Sequence, residues 1–291
     1  MKQRTLVTCA AGLCLAAAVC IALYPAVSSY VNEKYRSEIR TAYSEELAGK
    51  DANALQEIRE AAQAYNQALL SGVSAYSKEA IQAASEGYVN QLNPTENGIM
   101  GYVEIPKIEV NLPIYHGTEA DTLEQGIGHL LGSSLPVGGE STHSVLTGHS
   151  GMASQKLFTD LHQLEEGDVF YLNILDEMLA YQVIGIYLTL PENAESLQIA
   201  KGKDYCTLVT CTPIGVNTHR LLIRGSRIPY EKAQEEAEKQ TASQTQSDWE
   251  QQYLYGLLLG LGGVAAFAAA LGIRWWFRRW LRRCWRGKYA A

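Results

Sequence analysis

Two long uncharged runs near the ends of this 291-residue chain restrict what the rest of it can become. The first extends from Thr5 to about Val27, preceded by Lys2 and Arg4 and broken only by Pro25. The second extends from Gln251 to Ile273 and leads into RWWFRRWLRRCWRGK, which carries seven basic residues from Arg274 to Lys288. Each is long enough to cross a bilayer, where a lone segment satisfies its backbone only as a helix. Acidic residues are confined to the stretch between Glu33 and Glu250. Nine of the 24 basic residues and none of the 31 acidic ones lie in the two ends, so the ends carry +9, the middle about −16 and the whole chain −7. Positive charge stays on the cytoplasmic side, so both termini are expected in the cytoplasm and the middle outside. The expected divisions are residues 1–4 in the cytoplasm, spans at 5–27 and 251–273, and a basic cytoplasmic tail at 274–291. A cleaved signal peptide is the competing reading of the first run; its length and weak small-residue cleavage site favour a retained anchor. Trp275, Trp276, Trp280 and Trp285 suit an interfacial aromatic belt.

The cysteines sort by this topology. Cys9, Cys14 and Cys20 lie in the first span and Cys284 in the basic tail, which leaves Cys206 and Cys211 outside. Residues 205 to 211 alternate, with Tyr205, Thr207, Val209 and Cys211 on one face and Cys206, Leu208 and Thr210 on the other. Five residues along a strand separate the two thiols by ~17 Å, far beyond disulfide reach. An exported segment with no internal disulfide keeps a thiol free. Cys206 reads as a small buried hydrophobe and Cys211 as the candidate nucleophile. The C-x4-C-x7-H spacing lacks the tight pairs of a zinc site, and a segment this acidic is not expected to bind nucleic acid.

Between Glu33 and about Leu70 the chain is polar and helix-prone. Ile39, Tyr43 and Leu47 recur at intervals of four; after Gly49 and the possible cap Asp51, Leu55, Ile58, Ala62, Tyr65 and Leu69 form a second apolar stripe. A single stripe suits docking onto a core better than partner binding. Past Gly72 the pattern shifts to short strands, expected near Gly101–Ile105, Leu112–Tyr115, Ser144–Gly148, Asp168–Ile174, Met178–Leu188, Tyr205–Cys211 and Leu221–Ile228. That density predicts a mainly β fold, a closed barrel or sandwich. Residues 231–250, rich in Gln, Glu, Lys and Ser, read as a hydrophilic tether to the second span.

A thiol becomes a useful nucleophile when a neighbouring base or cation favours the thiolate. Six histidines lie between residues 116 and 219. In LTGHSG, His149 follows a strand and sits in a glycine-flanked turn that exposes a side chain. His219 is the local competitor, and His116, His129, His143 and His162 read as loop and surface residues. Spacing alone leaves His149 level with the others combined. Arg220 follows a loop containing Pro213 and Gly215, and a hairpin-like return brings it beside Cys211, where a guanidinium could hold an oxyanion. An ion pair with a surface carboxylate is an equally open reading of that arginine.

The strings NGIMGYVEIPKIEVNLPIYHGT, SLPVGGESTH, LTGHSG, KLFTDLHQLEEGD, TLVTCTP and NTHRLLIRG closely resemble the sortase family, specifically the pilus-building class C sortases. The resemblance covers about residues 92–230 without a long gap. It implies an eight-stranded β-barrel over 92–230, preceded by a helical and lid segment at 28–91 and flanked by two transmembrane helices. It also implies a cysteine transpeptidase with His149, Cys211 and Arg220 as the catalytic set. The implied substrates are pilin or surface proteins bearing an LPxTG-like sorting signal, cleaved after Thr through a thioester. The implied acceptor is a lysine amine of another pilin, and no metal or organic cofactor is needed.

Two positions depart from the class C pattern. Where those enzymes often carry an Asp-Pro-aromatic lid motif, this chain has Ser74-Ala75-Tyr76, so Tyr76 could cover the cysteine while the acidic contact to the arginine is lost. Ser150 stands where many relatives have Arg. The alternatives are a sortase that attaches proteins to a peptidoglycan precursor, and a non-catalytic membrane-tethered binding module.

Overall fold

The computed structural model describes residues 2–70, 87–152, 155–241 and, between 255 and 277, all but 257, 266, 268, 270, 271 and 275. Two compact units emerge: Met1–Val27 with Gln246–Ala291, and Ser28–Thr245.

In the first unit, the early part of helix α1 (Lys2–Ala48) carries the first uncharged run, with Pro25 inside it. Among the described residues, the stretch Ala11–Ala48 is the one helix long and apolar enough to cross a membrane. The second expected span, 251–273, is described only in part, and those parts are helical. A second transmembrane helix is therefore not established by the structure.

The second unit is an eight-stranded closed barrel: β1 (Ile99–Ile105), β2 (Val110–His116), β3 (Ile127–His129), β4 (Thr142–Thr147), β5 (Val169–Ile174), β6 (Glu177–Thr189), β7 (Asp204–Thr212) and β8 (His219–Ile228). Their order around the barrel is β1-β2-β3-β4-β7-β8-β6-β5, with β5 closing back onto β1. Two neighbouring pairs are parallel, β2 with β3 and β4 with β7; the others are antiparallel. The seven expected strands are all present, and β3 is the eighth. Three residues long, it is too short for a period-2 pattern to reveal. The interior is filled by fully buried side chains such as Ile114, Ile127, Leu146, Phe170, Leu208 and Ile223.

The helical stripes dock on this barrel as their spacing predicts. Tyr43 and Leu47 of α1, and Leu55 and Ala62 of α2 (Ala52–Leu70), are buried in the barrel's main core cluster, with Ile39, Ile58 and Tyr65 packed against it. Four residues beyond Ala62, on the same face, Asn66 is buried too, and it is fully paired with the backbone of Leu135. Its Nδ2 donates to the Leu135 carbonyl at 3.0 Å, and its Oδ1 accepts from the Leu135 amide at 2.7 Å. Arg59 adds ion pairs to Asp176 in the β5–β6 turn and to Glu177 at the start of β6. The short helix α3 (Ala120–Gln125) lies between β2 and β3.

The polar stretch after the barrel is helical at its start. Helix α4 (Tyr230–Thr241) buries Ala233 against Val169, Tyr171 and Ala180, and Tyr230 meets Tyr171 edge-on at 5.9 Å. One small buried side chain in a run of Glu, Gln and Lys leaves almost no apolar period, so the composition alone resembles a linker.

Candidate active site

Strand alternation fixes where each of the two thiols on β7 faces. Cys206 and Leu208 are fully buried in the main core, and burial lifts the Cys206 thiol well above its ordinary range. Val209, out of phase with them, joins Val145, Leu197 and Leu222 in a separate apolar cluster on the other face of the sheet. Cys211 shares the face of Val209 and is partly exposed.

Register then supplies its neighbours. Cys211 is the direct cross-strand partner of Arg220 on β8, as the hairpin-like return predicts. On its other side β7 runs parallel to β4, with Thr147 beside Val209. Beyond Thr147 the chain stays beside β7: the Gly148 amide donates to the Val209 carbonyl and the Ser150 hydroxyl to the Cys211 carbonyl, with His149 between them. Cys211 thus has Arg220 across the strand pair on one side, and on the other the segment 148–150 that carries His149.

The turn that holds His149 is built by close approach. A Cβ on Gly148 would fall 2.6 Å from Ile127 Cδ1 and 2.8 Å from Phe158 Cδ2, and Gly151 adopts a φ of +73°. The Gly148 amide donates to the Val209 carbonyl at 3.0 Å, and the Phe158 amide to the His149 carbonyl at 3.0 Å. Two hydroxyls take part as well: Thr210 Oγ1 donates to the Gly148 carbonyl and Ser150 Oγ to the Cys211 carbonyl, each at 2.7 Å. Neither contact is visible from the sequence, because nothing in a strand pattern shows that β4 and β7 lie side by side.

The histidines separate by what their rings already do. His116 places both ring nitrogens against carbonyls, of Gly98 at 3.0 Å and Gln91 at 2.6 Å. His129 meets Tyr88 Oη at 2.7 Å and the Ser134 carbonyl at 2.9 Å, and His143 meets Thr207 Oγ1 at 2.7 Å and the Gln198 carbonyl at 2.9 Å. His129 and His143 are therefore buried residues, not the loop and surface groups their surroundings in sequence suggest. His162 Nδ1 faces the Thr159 carbonyl at 3.1 Å. His219 pairs with Thr212, one step along β8 from Arg220, which puts it on the face opposite Cys211. Among the described residues the ring of His149 has no hydrogen-bond partner.

Arg220 is held by its own loop. Its Nη1 donates to the carbonyls of Asn217 and His219, both at 3.1 Å. Among the described residues no carboxylate lies within ion-pair distance of it. The face around Cys211 is closed at one end by the β6–β7 connection. That connection lays Leu197 on Val209 and Leu222, and is tied down by His143 at Gln198 and by Arg224 at the Ser196 carbonyl. Arg224 in turn stacks over Tyr187 at 4.8 Å. The expected lid residues Ser74 and Tyr76 lie outside the described residues.

A partly exposed thiol paired across strands with an arginine, with a histidine on the adjoining turn and an apolar strip beside it, offers groups suited to acyl transfer. A Sortase domain family matches residues 103–228. Sortase D of Bacillus subtilis is 31% identical over 138 residues, covering 46% of this chain and 67% of the relative. Among solved structures, sortase C1 from Streptococcus agalactiae is 45% identical, with a TM-score of 0.62 over 66% of this chain and 98% of that one. Sortase C of Streptococcus pneumoniae is 42% identical, with a TM-score of 0.59 over 66% of this chain and 97% of that one. The chain belongs to the sortase family. Sortases are cysteine transpeptidases, and the eight-stranded barrel is the fold shared with those solved structures.

The two buried histidines give this sortase a pH dependence of its own. Burial is the main cause that pushes His129 and His143 each down to about 4 from 6.5. Below pH 6.5 an unfolded chain protonates both rings, whereas the folded barrel resists until about pH 4. The unfolded state binds more protons throughout that window, so stability present above pH 6.5 is lost as the pH falls. Urea unfolding of the full chain across this range is expected to show a midpoint that drops steadily on acidification; a flat profile would contradict the placement of these rings.

Proposed function

We propose that this sortase polymerises pili. It cleaves an LPxTG-like sorting signal after Thr and transfers the acyl group to a lysine amine of another pilin subunit. The observation that carries the reading is the cross-strand pairing of Cys211 with Arg220, with the segment of His149 bonded to the Cys211 carbonyl through Ser150. The choice of class rests on likeness: solved sortase C structures share 39–45% identity with this chain, whereas the curated sortases named A and D share 26–31%. One of the similar structures is described as a pilus-related sortase C of group B Streptococcus.

The thiolate of Cys211 attacks the Thr carbonyl carbon of the signal, and the resulting oxyanion is held by Arg220. The Thr–Gly C–N bond breaks as His149 gives a proton to the departing Gly amine, leaving a thioester on Cys211. The lysine amine then attacks that thioester and loses its proton to His149; the thiolate leaves and an isopeptide bond remains. The apolar strip of Val209, Leu222 and Leu197 offers a seat for the Leu and Pro of the signal. The uncharged end runs and their basic flanks support anchoring by two spans, with both termini in the cytoplasm and the barrel outside.

The test supplies the full chain in detergent with an LPxTG-containing peptide and two competing acceptors, a pilin-derived lysine peptide and a cell-wall-type amine. An isopeptide-linked product on lysine, identified by mass, is the expected result. Preferential transfer to the cell-wall amine would reassign the enzyme to surface-protein attachment, and absence of cleavage would leave a binding module.

A further inference from the structure

The residue after His149 has no role in the mechanism above, yet its side chain touches the peptide unit of the nucleophile itself. Ser150 Oγ donates to the carbonyl of Cys211 at 2.7 Å. The setting makes this contact more than a surface bond. Strand β4 ends at Thr147 while β7 runs on to Thr212. Among the described residues the last backbone bond between these two segments is Gly148 to Val209, at 3.0 Å. Past that point the two segments are joined by the hydroxyls of Thr210 and Ser150. His149 sits between the two anchored residues. Thr210 fixes the carbonyl on its N-terminal side, and Ser150 fixes the residue on its C-terminal side to Cys211. Of these contacts, only that of Ser150 reaches the nucleophile's own residue.

From this arrangement we infer that Ser150 is a positioning residue. Its hydroxyl holds the backbone after His149 against the backbone of Cys211 and so sets the alignment of imidazole and thiol. The inference rests on the transpeptidase reading of the site. A shift of about 1 Å between reacting groups lowers a rate by as much as 10²-fold, and one hydroxyl bond at the edge of a sheet controls part of that distance. The effect falls on the chemical step and not on the groove that seats the signal, because Val209, Leu197 and Leu222 are held by other contacts.

The experiment compares the full chain in detergent with Ser150→Ala and Ser150→Thr, using an LPxTG-containing peptide, with Cys211→Ala as the zero point. For Ser150→Ala, kcat is expected to fall about tenfold with KM within about twofold. The unfolding midpoint should stay near that of the parent. Ser150→Thr keeps the hydroxyl and should recover kcat to within about threefold. Parental kcat in Ser150→Ala overturns the inference. So does failure of Ser150→Thr to rescue, or a fall in kcat matched by the loss of folded protein. Absence of any Cys211-dependent cleavage in the parent enzyme instead sinks the reading of the site itself, so the two failures are distinguishable.

Discussion

Cys211→Ala is expected to abolish cleavage of an LPxTG-containing peptide, with a loss on the order of 10³-fold or more. Every step of the proposed reaction passes through this sulfur, and no neighbouring group can form the same thioester. Its partner in sequence provides the control. Cys206, five residues earlier and fully buried, faces the barrel core. Cys206→Ala should therefore leave kcat within about threefold of the parent. Intact-mass analysis after rapid acid quench gives an independent reading: the parent and Cys206→Ala should carry a peptide adduct on the enzyme, and Cys211→Ala should not. Adduct formation in Cys211→Ala would place the nucleophile elsewhere.

Arg220→Ala is the second large expected effect, a fall in kcat of about 10²–10³-fold. The guanidinium is already held by the carbonyls of Asn217 and His219, so little reorganisation is required when the carbonyl of the signal becomes an oxyanion. Arg220→Lys should recover only a small part of the loss. An ammonium keeps the charge but cannot hold the loop carbonyls and the oxyanion with one planar fork. Adduct accumulation by rapid quench separates the roles: if Arg220 stabilises the oxyanion, the adduct forms slowly in both variants. Full activity of Arg220→Lys would reduce the residue to a general positive charge, and full activity of Arg220→Ala would remove it from the site.

What the sequence revealed follows from the range over which its patterns act. Alternation from Tyr205 to Cys211 is local, and it correctly separated a core thiol from one on the opposite face. The stripe Leu55, Ile58, Ala62, Tyr65 is local as well, and it placed α2 on the barrel. The short strand Ile127–His129 escaped because three residues carry no period; it is held by parallel pairing with β2. The same blindness left His149 undecided among six histidines. That its segment runs beside Cys211 depends on β4 and β7 being neighbours, a fact of topology that no window on the chain contains. His129 and His143 were misjudged for a related reason. Their burial is set by strands and loops that meet them from far along the sequence.

The parallel seam between β4 and β7 has a consequence in time. Thr142 lies opposite Asp204, far along the chain, whereas the β7–β8 hairpin that brings Arg220 to Cys211 is local. Long-range pairing of this kind closes slowly compared with a helix or a hairpin. With only the β7–β8 hairpin formed, Arg220 lies across from Cys211, but the segment of His149 arrives only when β4 closes onto β7. Only the completed barrel brings all three groups together, so the act of folding is itself the step that switches the enzyme on.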